Sequence, residues 1–131
     1  MSIQEDRGYE GLQAYKKSYA LAIQVYSGTK NMPKEEMFGL TSQLRRAASS
    51  IPANIAEGYG KRESMQEYKR FLLMARGSCN ETKVWINMCA DLGYMPRQWQ
   101  GTMLEAYEEV SKLVYGLIKS TDRPRSLTPE S

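Results

Sequence analysis

Apolar residues recur at alternating steps of three and four in each of four segments of the chain. This spacing places them on one stripe of an α-helix. The first two stripes consist of Leu12, Tyr15, Tyr19, Ala22 and Tyr26, and of Leu40, Leu44, Ala47, Ile51 and Asn54 or Ile55. The other two consist of Met65, Tyr68, Leu72, Ala75, Cys79, Thr82, Ile86 and Cys89, and of Trp99, Met103, Ala106, Val110, Leu113 and Leu117. No segment alternates with a period of two, so the pattern predicts an all-α protein.

Residues that favour helix ends bound the second stripe. Pro33 followed by Glu35 and Glu36 is typical of the first turn of a helix, because proline fits there and acidic side chains favour its positive end. Gly58 and Gly60 are typical of a helix end. The second helix is therefore predicted to begin at Pro33 and to end at these glycines.

Similar signals bound the third and fourth stripes. Ser64 with Glu67 forms a capping-box pattern that opens the third helix. Gly93 can close that helix in the left-handed conformation, and Pro96 can start the fourth. The connections are short, and short links force consecutive helices to be antiparallel neighbours. We therefore predict an up-down-up-down antiparallel four-helix bundle.

The ends of the chain differ from the rest. Residues 1–8 and 122–131 contain few apolar positions, and the second of these stretches contains Pro124 and Pro129. We expect a frayed N-terminus at 1–8, a single bundle domain at 9–121 and a disordered C-terminal tail at 122–131.

Pro52 breaks the pattern of the second helix. It lacks a backbone N–H, and its ring collides with the carbonyl of Ala48, at a cost of about 3 kcal/mol in an ideal helix. We therefore expect helix two to be kinked at Pro52, with a bend or interruption near 49–51. Such a kink either wraps the helix around the core or has a functional role.

Composition limits the chemistry. The chain has no histidine, which removes the usual general base, the commonest metal ligand and every Ser-His or Cys-His nucleophile. Paired carboxylates, a Gly-rich phosphate loop and a metal-ligand cluster are also not evident. We expect no catalytic residues, no cofactor and no metal site, and hence a protein that is not an enzyme.

The two cysteines and the hydropathy of the chain indicate its compartment. Cys79 and Cys89 lie within one predicted helix and form neither a CxxC pair nor a disulfide framework, so both are expected to be reduced and buried. No apolar run approaches the roughly 20 residues that span a bilayer. We expect a cytoplasmic protein that does not bind a membrane.

Basic residues are concentrated in the third predicted helix. Between Lys61 and Arg97 the chain has seven basic and four acidic residues, which accounts for its net charge of +3. The candidate phosphate-binding residues are Arg62, Lys69, Arg70, Arg76 and Lys83. Apart from Arg70 they recur every seven residues and line one edge of the helix. They either pair with glutamates of a neighbouring helix or form a surface that follows a nucleic-acid backbone.

Arg45 and Arg46 form a second basic pair beside the stripe of helix two. They either bind phosphate or clamp a carboxylate, for which Glu57 and Glu81 are available. Asn54 lies on or next to the stripe. It either makes a buried polar contact that sets helix register or is a satisfied polar residue near the helix end.

Small residues interrupt the third and fourth helices. Gly77 with Ser78, and Gly116, would permit close helix approach or a contact between subunits. Aromatic residues mostly fall on the stripes and are interpreted as core, although some could reach an interface between subunits.

These motifs resemble a known family. The run LTSQLRRAASSIPANIAEG at 40–58 is similar to the signature of the four-helix-bundle proteins named for the intervening sequences of 23S ribosomal RNA. The accessory variability protein of diversity-generating retroelements is a relative. The resemblance extends from about Tyr9 to about Lys119. Its signature positions are Arg45, Arg46, Pro52, Asn54, Glu57, Gly58, Gly77, Ser78 and Glu81, together with Arg70-Phe71-Leu72 and Ala75.

The resemblance has several implications. It implies an up-down bundle that assembles into a homopentameric ring with a central channel and that is not an enzyme. The retroelement relatives bind nucleic acid and a reverse transcriptase. The resemblance therefore implies RNA or DNA, and a reverse transcriptase, as partners of this chain.

Two functions therefore compete. In the first, an oligomeric accessory protein binds nucleic acid through the basic residues of helix three. In the second, a protein-interaction scaffold uses the same basic residues in salt bridges within and between subunits and has no affinity for nucleic acid.

Overall fold

A computed structural model describes residues 8–123. The described chain contains helices and no strands. Its elements are a 3-10 turn at Gly8–Gly11, α1 at Gln13–Gly28, a 3-10 turn at Lys34–Glu36, α2 at Leu40–Tyr59, α3 at Met65–Asp91 and α4 at Arg97–Ser120. The predicted all-α class is confirmed.

The four helices form an antiparallel bundle. Each helix packs against its neighbours in the chain, and α1 also packs against α4, which closes the bundle. Gly28 at the end of α1 lies beside Trp99 at the start of α4, and Lys69 near the start of α3 contacts Asp122 after the end of α4. The predicted up-down-up-down order is therefore confirmed. No helix of the described chain is long and apolar enough to cross a membrane.

The core is built mainly from the stripes that were predicted for α2 and α3. Leu44, Ile51, Leu72 and Ile86 are fully buried, as expected from their spacing. In α1 the buried line instead contains Ala14, Ser18, Leu21, Ala22 and Val25, while Tyr19 and Tyr26 are exposed. In α4 it contains Met103, Tyr107, Val110, Val114 and Ile118. The predicted stripes of these two helices lie mostly one position from the buried lines: Ala22, Met103 and Val110 are buried, while six other predicted residues are only partly buried against the core.

The start of α2 differs from the prediction. Pro33 precedes a separate 3-10 turn, and α2 itself begins at Leu40. Glu36 lies before α2 but still contacts its first residue, because its Oε1 accepts a hydrogen bond from the Leu40 N–H at 3.1 Å. Glu36 therefore satisfies an N–H at the helix start without belonging to the first turn of α2.

The predicted boundaries of α3 are confirmed. The Ser64 hydroxyl oxygen accepts a hydrogen bond from the Glu67 N–H at 3.1 Å. Gly93 follows the helix with φ of 81°, and the Tyr94 N–H donates to the Cys89 carbonyl at 2.9 Å. Glycine suits this position because left-handed backbone is strained for other residues.

Helix α2 continues through Pro52 from Leu40 to Tyr59, so the predicted interruption is not seen, and a bend stays a prediction. Side chains supply donors around the proline. The hydroxyls of Ser49 and Ser50 donate to the carbonyls of Arg45 and Ala47, both at 2.9 Å. These bonds add donors to the turn that precedes Pro52, although the carbonyl that the proline deprives of its donor is that of Ala48.

The predicted terminal segments lie almost entirely outside the described residues. Of the segment 1–8 only Gly8 is described, and of 122–131 only Asp122 and Arg123. The predicted fraying, the tail and the domain limits therefore stay predictions.

Candidate nucleic-acid interface

The heptad-spaced cations of α3 face residues that are also seven apart, two in α4 and one just after its end. Because the helices are antiparallel, the order along α4 is reversed. The pairs are Lys69 with Asp122 (Nζ to Oδ1, 3.1 Å), Arg76 with Tyr115 (guanidinium to ring centroid, 4.7 Å) and Lys83 with Glu108 (Nζ to Oε1, 2.6 Å). The predicted basic stripe therefore lies along the boundary between α3 and α4.

Arg62 is held at one end of this boundary, in the turn between α2 and α3. Its guanidinium lies 3.6 Å from the centroid of the Tyr59 ring, and its Nη1 donates to the Tyr59 carbonyl at 2.7 Å. Arg62 lines an open cleft of about 540 Å³ together with Glu63, Ser120 and Arg123. The cleft thus joins the α2–α3 turn to the end of α4.

Two residues of this region were not predicted. Lys119 lies with its Nζ 5.0 Å from the Tyr115 ring centroid, and Arg123 lines the cleft beside Arg62. Lys119 lies in the last turn of α4 and Arg123 follows it, where the negative end of the helix dipole favours cations. We name as the α3–α4 basic edge the set Arg62, Lys69, Arg76, Lys119 and Arg123.

Electrostatic balance favours an anion at this edge. The carboxylates that contact its cations or line its cleft are those of Asp122 and Glu63. Arg62 and Arg76 contact tyrosine rings and form no ion pair within the described residues. The set of five cations is thus only partly neutralised inside the chain.

Two of the predicted phosphate-binding residues are engaged internally. Lys83 donates to Glu108, and this hydrogen bond lowers the pKa of the Glu108 carboxyl. Arg70 pairs with Glu67 at 3.0 Å and lies over the Phe71 ring at 4.5 Å, and its hydrogen bond lowers the pKa of the Glu67 carboxyl. For these two cations the geometry favours the structural interpretation of the stripe.

Arg46 forms an internal ion pair. It contacts Glu81, one of the two carboxylates expected for it, and it also donates to the Gln43 side chain at 2.9 Å. Glu81 in turn accepts a hydrogen bond from the Trp85 indole N–H at 3.2 Å. Glu57 is exposed and forms no ion pair in the described chain.

Arg45 does not clamp a carboxylate, which corrects that expectation. Its Nε donates to the Thr29 hydroxyl at 2.9 Å, and its Nη2 donates to the Tyr26 carbonyl at 3.2 Å. The Thr29 hydroxyl donates onward to the Val25 carbonyl at 2.7 Å. Arg45 therefore satisfies the carbonyl end of α1, where a cation is favourable.

The polar contact between α2 and α3 is made by serines. The Asn54 side chain donates to the Ser50 carbonyl of its own helix at 2.8 Å, so Asn54 does not cross to another helix. The hydroxyls of Ser50 and Ser78 are hydrogen-bonded at 2.7 Å. Ser78, which was predicted to permit close approach, supplies the contact between helices that was expected of Asn54.

The glycines at 58 and 77 have opposite surroundings. A Cβ added at Gly58 would lie 2.7 Å from the Phe71 Cβ, so Gly58 permits close packing of α2 on α3. A Cβ added at Gly77 would have nothing within 4 Å, and the same is true of Gly116. Neither of the last two therefore permits close approach inside the bundle, and a contact outside the chain stays a prediction for both.

The acidic side chains of the described residues form no metal-binding cluster, and the cysteines are buried. No group of three or more Cys, Asp or Glu side chains among them could hold a metal ion. Burial raises the pKa of the Cys79 and Cys89 thiols to about 11, so both are protonated at neutral pH. Both thiols are free and buried, as their position in the helical stripe predicts.

Fold and site together define a class, a closed antiparallel four-helix bundle with a basic edge on its surface. The chain belongs to the family of 23S rRNA-intervening sequence proteins, whose model matches residues 10–116. It is also similar to a solved structure from Bacteroides thetaiotaomicron, described as a protein with unknown function from the S23 ribosomal protein family. That likeness has a TM-score of 0.74 and 26% identity, and it covers 81% of this chain and 95% of the other. No curated protein sequence matches the chain.

The family suggested by the sequence motifs is thereby confirmed. The link to the accessory proteins of retroelements stays a prediction, as does the predicted reverse transcriptase partner.

Proposed function

We propose that this chain is a non-enzymatic accessory protein that binds nucleic acid through the α3–α4 basic edge. The observation that carries the proposal is the alignment of five cations along one boundary of the bundle, of which Arg62 and Arg123 line the open cleft at its end. Phosphate contacts supply most of the affinity of proteins for nucleic acid, and cations on one continuous surface can make several such contacts at once.

The ion pair of Lys69 with Asp122 is compatible with this function. Both side chains are solvent-accessible, with relative exposures of 38% and 64%. Exposed ion pairs are worth only about 0–1 kcal/mol, because water and salt screen them. A phosphate backbone can therefore compete with Asp122 for this lysine.

Charge reversal tests the proposal. Binding of fluorescently labelled RNA and DNA oligonucleotides to purified protein should be measured by anisotropy at several salt concentrations. The affinity should fall steeply with salt, because each neutralised phosphate contributes a slope of about 0.7 on single strands and about 0.9 on duplexes. Lys69→Glu combined with Arg76→Glu should weaken binding and lower this slope.

The matched control reverses two other cations. Lys30 and Lys34 are exposed and lie at the opposite end of the bundle, between α1 and α2. Lys30→Glu with Lys34→Glu changes the net charge by the same amount and should retain most of the binding. Absence of salt-sensitive binding, or equal loss in both double variants, contradicts the proposed interface.

Assembly into a ring is the second part of the proposal. The outward side of α3 exposes the apolar residues Leu73, Val84 and Met88. A separate apolar groove of about 310 Å³ lies between α1 and α2 and is lined by residues such as Ile23 and Pro52. Two different apolar surfaces favour head-to-tail contacts, which close into rings when the rotation permits.

Complementation of variants tests this assembly. Light scattering of the native protein should give about five times the chain mass of 15.0 kDa, as the family resemblance implies. Leu73→Glu on α3 and Ile23→Glu in the groove should each yield monomers. A mixture of the two variants should yield dimers, because one intact groove and one intact α3 surface remain. Gln13→Glu, outside both surfaces, should leave the assembly unchanged, and a native monomer contradicts the ring.

A protein-interaction scaffold is the second candidate function. The internal pairs of Arg46, Arg70 and Lys83 favour it, because these cations are already used within the chain. A scaffold predicts a stable assembly with no salt-sensitive affinity for RNA or DNA. The binding titration therefore separates the two functions.

A further inference from the structure

Tyr115 lies between two cations on the surface of the α3–α4 basic edge. The guanidinium of Arg76, from α3, lies 4.7 Å from its ring centroid, and the ammonium of Lys119, from the next turn of α4, lies 5.0 Å from it. The residue is 43% exposed. An accessible aromatic ring is thus held among groups that attract phosphate.

A glycine follows each member of the Arg76–Tyr115 contact. Gly77 and Gly116 are exposed, lie inside the long helices α3 and α4, and would have nothing within 4 Å of an added Cβ. Packing inside the chain therefore does not require glycine at either position, in contrast to Gly58. Glycine weakens a helix interior relative to alanine, but it allows a ligand to approach the backbone closely.

We infer that the α3–α4 basic edge binds single-stranded nucleic acid, with an unpaired base stacked on Tyr115. This inference rests on the proposed function and specifies its substrate. When the strand binds, the cations of Arg76 and Lys119 move from the ring to the phosphates on either side of that base, which frees a face of Tyr115 for stacking, and Gly116 leaves room for the strand beside the ring. An aromatic ring with flanking cations is the usual arrangement for single strands, since every base has a face that can stack.

A duplex fits this surface less well. Its bases are stacked on one another and their faces are closed to a protein side chain, so Tyr115 would contribute little to duplex binding. RNA and DNA present the same chemistry here, an unpaired base between two phosphodiesters. The experiment therefore includes both sugars in single-stranded and duplex form.

Substitution of the ring tests the inference. The probes are a fluorescein-labelled 20-nucleotide strand without self-complementarity, as RNA and as DNA, and the matching duplexes. The native protein should bind the single strands more tightly. Tyr115→Leu should weaken single-strand binding by about tenfold or more, because removal of a stacking aromatic commonly costs this much. Its salt slope should stay unchanged, since no phosphate contact is lost.

Conservative variants keep the test interpretable. Tyr115→Phe retains a ring that can stack and should retain the binding, which excludes a role that depends on the hydroxyl. Gly116→Ala should raise the melting temperature and yet weaken single-strand binding. Circular dichroism and light scattering must show that each variant keeps its fold and assembly.

The outcomes separate this inference from the proposed function. Salt-sensitive binding with equal affinity for duplex and single strand, unchanged in Tyr115→Leu, overturns the inference and leaves the proposed function standing. Absence of binding to all four probes overturns both. A Gly116→Ala variant that keeps its assembly and binds the single strands as tightly as the native protein overturns the assignment of this glycine to the strand.

Discussion

Gly58 shows how a single residue fixes the packing of two helices. A Cβ at this position would lie 2.7 Å from the Phe71 Cβ and 3.3 Å from the Tyr68 carbonyl oxygen, and neither is the end of a flexible side chain. Gly58→Ala should therefore lower the free energy of unfolding by about 1–3 kcal/mol, the usual cost of overpacking. Urea unfolding followed by circular dichroism measures the change.

Gly101→Ala is the matched control for that substitution. Gly101 also lies in a helix, but an added Cβ would have nothing within 4 Å. Alanine there should raise the unfolding free energy by up to about 1 kcal/mol, through helix propensity alone. Equal effects of the two substitutions would contradict the steric explanation.

The polar residues of α2 could be predicted as a group, but their individual partners could not. Arg46 pairs with Glu81 as proposed, whereas Arg45 binds Thr29 and the Tyr26 carbonyl. The sequence reveals which carboxylates are available, because acidic residues can be counted. It does not reveal which carbonyls at a helix end, those without an N–H donor in their own helix, lie close enough for an arginine to bind. This depends on how two helices cross.

Among the helices, the stripes of α2 and α3 were predicted residue by residue, whereas those of α1 and α4 lie mostly one position from the buried line. In α3 the buried residues follow the predicted stripe from Tyr68 to Cys89, with only Phe71 and Ala90 buried beside it, so the spacing identifies the core face. In α4 two adjacent lines are apolar, and Val114 and Ile118 are buried where Leu113 and Leu117 are only partly buried. Apolar spacing cannot choose between neighbouring lines when both are hydrophobic.

Helix α1 illustrates a second cause of such an error. Tyr19 and Tyr26 were counted as core but are exposed, because a tyrosine ring tolerates a partly wetted surface. Ser18, by contrast, is fully buried, and its hydroxyl donates to the Tyr15 carbonyl at 3.2 Å. A polar residue satisfied by its own helix can occupy the core, and hydrophobicity alone does not identify it.

The start of α3 supports a prediction about helix capping. Ser64→Ala removes the acceptor for the Glu67 N–H and should lower the unfolding free energy by about 0.5–2 kcal/mol. Ser64→Asp should retain the stability, because aspartate caps equally well and favours the helix dipole. Thermal melts of both variants test this, and equal melting temperatures for Ser64→Ala and the native protein would exclude the cap as a source of stability.

At the scale of the whole molecule, three of the five residues of the basic edge were predictable. The heptad spacing of α3 identified Arg62, Lys69 and Arg76. Lys119 and Arg123 follow no such pattern, and they join the edge because α4 ends beside the start of α3. The antiparallel order was available from the sequence, but the face that α4 turns toward α3 was not.

The pairs between side chains also predict how stability depends on pH. Hydrogen bonds from Lys83 and Arg70 lower the pKa of Glu108 and Glu67 below the ordinary value of 4.5. A lowered pKa in the folded state stabilises the protein above the unfolded value and loses that effect as pH falls through the folded one. The unfolding free energy should therefore decrease as pH falls below about 4.5.

A variant isolates one of these contributions. Glu108→Gln cannot ionise, so its stability should change less between pH 6 and pH 3 than that of the native protein. Melting temperatures across this range measure the difference. Parallel curves for the two proteins would show that the Lys83 pair contributes nothing to acid sensitivity.

The three side-chain contacts of the α3 cations also fix the relative alignment of α3 and α4 along their axes. The partner residues are Asp122, just after α4, and Tyr115 and Glu108 within α4, so an aromatic residue lies between two acids. A shift of α4 against α3 by seven residues in either direction would align the heptad positions again. It would place a lysine opposite Tyr115 and leave one of the three cations without a partner. Because the central partner is a tyrosine and its neighbours are acids, a shifted arrangement differs from the native one. Only the native alignment of the two helices gives all three cations their partners.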